Sequence, residues 1–303
     1  MNVQLWGTRG SIPAPRPETA GYGGNTSCVE VRGESSNQLV ILDAGTGICS
    51  IGAAGLPPEI ERVDILLTHL HMDHILGLGF FQGLFQPGLE VHVWGPASPR
   101  QNLRDRLGRY LSPPLFPVRI RELPCRLTLH DVPLGTFEIP GFSVRAALIC
   151  HPGPTVGYRL ENGRGSLSYL PDHEPALGAR QFPERPEWTS GHDLVAGCDV
   201  LIHDAQYDDE EYRTKVGWGH SSVTDTYAFA SAAGVHHLVP FHHDPRHNDS
   251  VLDALFDTTK RDDPPFGVTV AREGVILTVG TEPPADQPVA ITPRHPRHEN
   301  PGR

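Results

Sequence analysis

The sequence predicts one α/β domain made of two sheets covered by helices. Three observations carry this. Short strand-like runs alternate with helix-length stretches in both halves of the chain. No linker-like segment parts the halves. With 303 residues and 38% hydrophobic content, the chain is long enough to bury a sizeable core.

The elements follow in order. Residues 3–6, 28–32 and 38–42 read as strands, separated by the turn-rich segments GTRGSIPAP and GESSN. A helix is expected at about 47–54, after LDAGTG. Residues 62–67, RVDILL, are mostly apolar, as in a strand buried on both faces. The apolar stretch 74–85 reads as a helix, 90–94 as a strand, and 99–111 as an arginine-rich amphipathic helix. Proline punctuates SPPLFPVRIRELP (112–124), which excludes regular helix and predicts a surface loop. Strands are expected at 126–130, 143–149, 155–160, 167–170 and 199–203. An acidic helix starts near 208, a second covers 223–233, a strand covers 237–241 and a helix 250–260. Strands at 266–271 and 275–279 close a domain spanning 1–280. Residues 281–303 are polar and proline-rich, and disorder is expected there.

Composition removes several function classes. The formal net charge of −11 gives no electrostatic help with duplex DNA or anionic membranes. No apolar run approaches the roughly 18 residues of a spanning helix. The start, MNVQLWGTRGSIP, lacks a charged segment followed by an apolar stretch, so no signal peptide is expected. The five cysteines are odd in number, scattered and without C-x-x-C, which fits reduced thiols in a cytoplasm. There is no G-x-S-x-G elbow and no G-x-x-x-x-G-K-[ST] loop. The glycine runs GYGGN and GLGFFQG do not fit a dinucleotide fingerprint.

The 17 histidines are more informative. THLHMDHILG, 68–77, carries His69, His71, Asp73 and His74 directly after the buried strand 62–67. In extended chain His69 and His71 point the same way, because side chains alternate with period two. Asp73 and His74 follow at the first turn of a helix. Four ligand-type side chains can so converge where a strand ends and a helix begins, a place that also favours a bound anion.

This motif resembles the metallo-β-lactamase fold of hydrolases. GTRGSIP, YGGNTSCVEV (Tyr22–Val31) and ILDAGTG (Ile41–Gly47) resemble its ribonuclease Z and cyclic phosphodiesterase branch. The resemblance implies an αββα four-layer sandwich with a two-metal site at one edge. It also implies ligands further along the chain. HPGPTVGYRL opens with His151, similar to the third histidine motif. LSYLPDHEP carries Asp172 where the family places a carboxylate shared by both metals, although the usual G-D-T is Pro171–Asp172–His173 here. VPFHHDP offers His242 as a ligand, with His243 the alternative. One metal would take His69, His71 and His151, the other Asp73, His74 and His242, with Asp172 shared. Imidazole and carboxylate suit two divalent ions, Zn²⁺ or Mn²⁺, with Fe²⁺ also compatible.

The segment GHSS, 219–222, resembles the family's G-H-S/T motif. By that likeness His220 stabilises charge on the phosphoryl oxygens or protonates the leaving oxygen, and Asp73 orients the attacking water. A helix cap made by Ser221 or Ser222, with His220 facing solvent, is the alternative. Asp43, His203 and Asp204 are candidates to brace ligand imidazoles from outside. His92 and His130 read as packing or surface histidines. His236, His237, His247, His295 and His298 have no ligand context. Arg104, Arg106, Arg109, Arg119 and Arg121 are within conceivable reach of a phosphate but read as solvated charges.

The expected activity is hydrolysis of a small cyclic phosphodiester, such as a 3′,5′-cyclic nucleotide, by a metal-bridging hydroxide. The alternatives are ribonuclease Z-like processing of RNA 3′ ends, hydrolysis of a lactone, thioester or lactam, and a metal-bound nucleotide-binding module without turnover. Ribonuclease Z members carry a protruding basic arm, and no Gly- and Lys-rich insertion is found here. The expected partner is a small-molecule diester, with no DNA and no membrane. The family branch implies a homodimer.

Overall fold

A computed structural model describes residues 1–33, 37–53, 55–179, 181–257 and 264–280. The 281–303 segment and the end of the predicted 250–260 helix lie outside these residues.

Among the described residues the chain builds two seven-stranded sheets in turn. The first holds β1 (Asn2–Gly7), β2 (Cys28–Arg32), β3 (Gln38–Leu42), β4 (Arg62–Leu66), β5 (Glu90–Pro96) and β6 (Arg126–Val132). The second holds β7 (Gly135–Ile139), β8 (Phe142–Leu148), β9 (Val156–Glu161), β10 (Ser166–Leu170), β11 (Val200–Asp204), β12 (His237–Phe241) and β13 (Gly267–Val268). The last strand, β14 (Ile276–Thr278), returns to pair with β1. β3 to β6 run parallel, as do β10 to β13, while the meander from β7 to β10 is antiparallel.

The apolar runs explain the layering. In β3, Val40 and Leu42 face the second sheet and join Val29, Val31, Tyr158, Tyr169, Ile202 and Phe241 in a core between the sheets. Leu39 and Ile41, on the other face, pack with Ile65, Leu67 and Val93 beneath Ile75, Leu78, Phe81 and Leu107. The outer face of the second sheet is covered by Leu194, Phe229 and Ala230. With both faces buried, a strand must be apolar throughout rather than alternate. The result is the expected αββα sandwich.

Six short α-helices are seen among the described residues: α1 (Met72–Ile75), α2 (Leu103–Gly108), α3 (His192–Val195), α4 (Asp209–Arg213), α5 (Val223–Ala232) and α6 (Asp249–Leu255). Several expectations need correction. The predicted 74–85 helix is one α-turn followed by two 3-10 turns, Leu78–Phe80 and Gln82–Phe85. Glycine recurs in it at 77, 79 and 83 and weakens a helix. A Cβ on Gly77 would sit 2.2 Å from the Gly45 carbonyl oxygen, so close approach to the β3–β4 loop sets this path. The 47–54 helix is a 3-10 turn, Thr46–Ser50. The 99–111 helix starts only after Asn102, whose side chain accepts from the Asp105 amide. The 112–124 segment is no simple surface loop, because Phe116 and Ile120 are buried in the outer core. Strand β7 was not expected, although the Pro140–Gly141 turn that pairs Ile139 with Phe142 is a hairpin signal.

The two sheets are tied together beside the C-terminal end of β4. The Val156 amide donates to the Thr68 carbonyl at 2.9 Å. The buried Tyr158 hydroxyl donates to the Leu67 carbonyl at 2.7 Å, and the Tyr169 hydroxyl to Asp43 at 3.0 Å. Parallel strands bring their C-terminal ends to one edge, so β4, β10, β11 and β12 all deliver their following loops there.

Candidate active site

At that edge the structure brings together His69, His71 and His151 in one group, and Asp73, His74, Asp172 and His242 in a second. Within each group one ligand atom per residue lies within 4.8 Å of the others. His220 joins them, with His151 and Asp172 on one side and Asp204 and His242 on the other. The segments come from the end of β4, the turn after β8, and the ends of β10, β11 and β12.

The imidazoles are braced from outside. His74 Nδ1 lies 2.8 Å from Asp43 Oδ2. His151 Nδ1 donates to the Gly219 carbonyl at 2.8 Å. His242 Nδ1 lies 3.2 Å from Gln206 Oε1, and His69 Nδ1 lies 3.1 Å from Thr68 Oγ1. Each outer nitrogen is thus occupied, which fixes the ring and leaves Nε2 for the interior. Asp43 is itself held by the Thr68 amide at 2.7 Å and by Tyr169. Asp73 Oδ2 accepts the Ser11 amide at 2.7 Å.

The inner atoms fit a pair of cations. Nε2 of His69, Nε2 of His74 and Oδ1 of Asp172 are buried and none makes a hydrogen bond. The last two lie only 2.9 Å apart, yet they are not aligned as donor and acceptor. Buried polar atoms are rarely left unpaired, and here they face a common volume. Electrostatics agree. Burial, with neighbouring imidazoles, lowers His69 well below the usual histidine range and keeps it neutral, the form that binds a metal. Burial alone would raise Asp172, but His242, His74 and His69 hold it well below the carboxylate range. Burial opposes charge on His74 too, yet Asp172, Asp73 and Asp43 raise it well above its usual value. The field there is one that calls for positive charge. The donors are imidazoles and carboxylates. Cys150, beside His151, is a thiol pushed up by burial.

His220 Nδ1 lies 2.6 Å from Asp204 Oδ2. Burial works against its charge, but Asp204, with Asp172 and Asp73 behind it, pushes it up to about 9. Ser222 does cap α5, its side chain accepting the Asp225 amide, but His220 turns to Asp204 and not to solvent. His243 is directed away from the cluster and meets the Ala271 carbonyl at 2.9 Å. His203 departs from expectation, since it pairs with His173 at 2.9 Å and braces no ligand candidate. His92 and His130 pair with each other and stack beside Trp94. Of the arginines, Arg106 meets the Pro96 carbonyl and Arg119 meets Glu122. Gln206 and Glu174 were missed by sequence reading. Glu174, 1% exposed, accepts from the Gly217 and Gly219 amides at 2.9 and 2.8 Å and so sets the carbonyl that orients His151.

Comparison with known proteins agrees with this architecture. The model of the beta-lactamase superfamily domain matches residues 39–243. A ribonuclease Z of Pyrococcus furiosus is 25% identical over 294 residues, covering 82% of this chain and 88% of that protein. The structure of the short form of human tRNase Z superposes with a TM-score of 0.63 at 22% identity, covering 92% of this chain and 100% of that one. Zn²⁺-bound PqqB from Methylobacterium extorquens gives 0.63 at 21%, covering 92% and 100%. No helix among the described residues is long and apolar enough to cross a membrane. The chain belongs to the beta-lactamase superfamily domain family and is a hydrolase of the metallo-β-lactamase fold.

Proposed function

We propose that the protein is a metal-dependent phosphodiesterase acting on a small, cyclic phosphodiester such as a 3′,5′-cyclic nucleotide. One observation carries this reading: Asp172 stands with Asp73, His74 and His242 and also lies 3.7 and 3.8 Å from Nε2 of His69 and His151, and beside them stands an imidazole, His220, braced by Asp204. His69, His71 and His151 would hold one divalent cation and Asp73, His74 and His242 the other, with Asp172 between. When bound, the cations supply Lewis acidity and make water a nucleophile near neutral pH.

The remaining work falls to side chains. Asp73 is fixed by the Ser11 amide, so its carboxylate orients the attacking water. His220 keeps Nδ1 on Asp204 and presents Nε2 to a phosphoryl or leaving oxygen, where it stabilises charge or donates a proton. Seryl and thiol nucleophiles are not needed. A small diester is favoured over a polyanionic RNA because the net charge is −11. The test is hydrolysis of bis-p-nitrophenyl phosphate and of cyclic nucleotides by metal-loaded protein. Turnover that vanishes on chelation and returns with metal is expected. Absence of turnover on every diester would rule the reading out.

A second reading, maturation of RNA 3′ ends, is favoured by the name of the Pyrococcus furiosus relative. Cleavage of a precursor tRNA at its 3′ trailer, faster than any small diester, would establish it instead.

A further inference from the structure

Three exposed apolar side chains stand next to site residues in the sequence. Ile12, 61% exposed, follows Ser11, whose amide holds Asp73. Met72, 50% exposed, stands between His71 and Asp73. Trp218, 59% exposed, stands two residues before His220. Of the three, Trp218 alone presents a planar ring on which another ring can stack.

Trp218 is held firmly. The amides on either side of it, from Gly217 and Gly219, both donate to the buried Glu174 carboxylate, and its own amide donates to the Lys215 carbonyl at 3.0 Å. Gly219 has φ +86, and a Cβ there would lie 2.3 Å from His151 Nδ1, so only glycine lets this loop lie against the cluster. The Lys215 ammonium lies 4.4 Å from the Tyr207 ring centroid and 5.4 Å from that of Trp218. Tyr207, almost fully buried, meets the His220 ring edge-on. A line of groups therefore runs from His220 through Tyr207 and Lys215 to the exposed indole.

Among the described residues of this region, the Lys215 ammonium lies over rings and not beside a carboxylate. Arg246 is bound to Asp244 at 2.7 Å, and Arg9 is buried with its donors on the Gly23, Asp244 and His247 carbonyls. An ammonium kept between aromatic rings instead of beside a carboxylate keeps its charge for an incoming anion.

We propose that Trp218 and Lys215 form the subsite for the organic arm of the substrate: a planar heteroaromatic base stacks on the indole while the ammonium meets the anionic oxygens. This rests on the phosphodiesterase reading and narrows it to base-bearing nucleotides, excluding a ribose cyclic phosphate without a base. Base–aromatic stacking has the strength to set such a preference.

The test is calorimetric titration of the metal-loaded full chain with AMP and with ribose 5-phosphate. The wild type should bind AMP at least about ten-fold tighter than ribose 5-phosphate. Trp218→Ala should bring AMP down to the level of ribose 5-phosphate, and Trp218→Phe should keep most of the preference. Lys215→Ala should weaken both ligands, and Lys215→Arg should restore them. Metal content and circular dichroism confirm that each variant is folded. No base preference in the wild type, or a preference that survives Trp218→Ala, overturns the subsite. Turnover of diesters without base preference sinks the subsite alone. Base preference without turnover of any diester sinks the phosphodiesterase reading and leaves the subsite standing.

Discussion

The two sheets supply the centre in different ways. After β4, one strand end gives His69, His71, Asp73 and His74 within a single loop and helical turn. From the second sheet the contributions are single: His151 after β8, Asp172 after β10, Asp204 at the end of β11 and His242 after β12. The local set depends on one turn of backbone. The distributed set depends on strand register, with Leu170 beside His203 and Asp204 beside Phe241. His69, Asp73 and His74 of the local set are braced by Thr68, the Ser11 amide and Asp43, as His151 and His242 of the distributed set are by the Gly219 carbonyl and Gln206. Both sets are held from outside, but Asp172, Asp204 and His242 depend in addition on the alignment of three parallel strands.

Substitutions can break this contrast at its strongest point first. Asp172→Ala removes the carboxylate common to both donor groups. A turnover loss of about 10³-fold or more is expected, with metal lost from both groups, read by elemental analysis and bis-p-nitrophenyl phosphate hydrolysis. His71→Ala should abolish turnover as well, yet empty only its own group and leave stability within about 0.5 kcal/mol of wild type. Full turnover in His71→Ala would remove the local set from the account. His220→Ala should cost roughly 10²–10⁴ in turnover at unchanged metal content, as expected of a proton donor and not a ligand. Lost metal in that variant would make His220 a ligand instead. Asp43→Asn should weaken metal affinity by about 10–100-fold, because it braces His74 from outside. The smallest effect belongs to the tie between sheets. Tyr158→Phe removes one buried hydrogen bond to the Leu67 carbonyl and should cost about 1 kcal/mol in urea unfolding.

The same contrast governs what sequence reading reached. The strands 28–32, 38–42 and 237–241 were found to the residue, since apolar runs bounded by turn residues are local signals. Helices were overextended where apolar residues mix with glycine, as at 74–85, because burial there comes from close backbone approach and not from a helical face. The loop His69–His74 is legible because its spacing alone implies convergence. His242 and His243 are neighbours with opposite fates, and only the turn at His242, φ 63, decides which ring enters the cluster. Glu174 and Gln206 act through contacts with residues more than thirty positions away and leave no local pattern. His203 misled for the same reason: its partner, His173, is set by the pairing of β10 with β11.

The central claim is that the local and distributed sets close around two cations sharing Asp172. Metal stoichiometry per chain, measured by inductively coupled plasma mass spectrometry on wild type, His71→Ala and Asp172→Ala after equilibration with Zn²⁺ or Mn²⁺, tests it directly. About two, one and none are expected. Equal stoichiometry in all three proteins would contradict it.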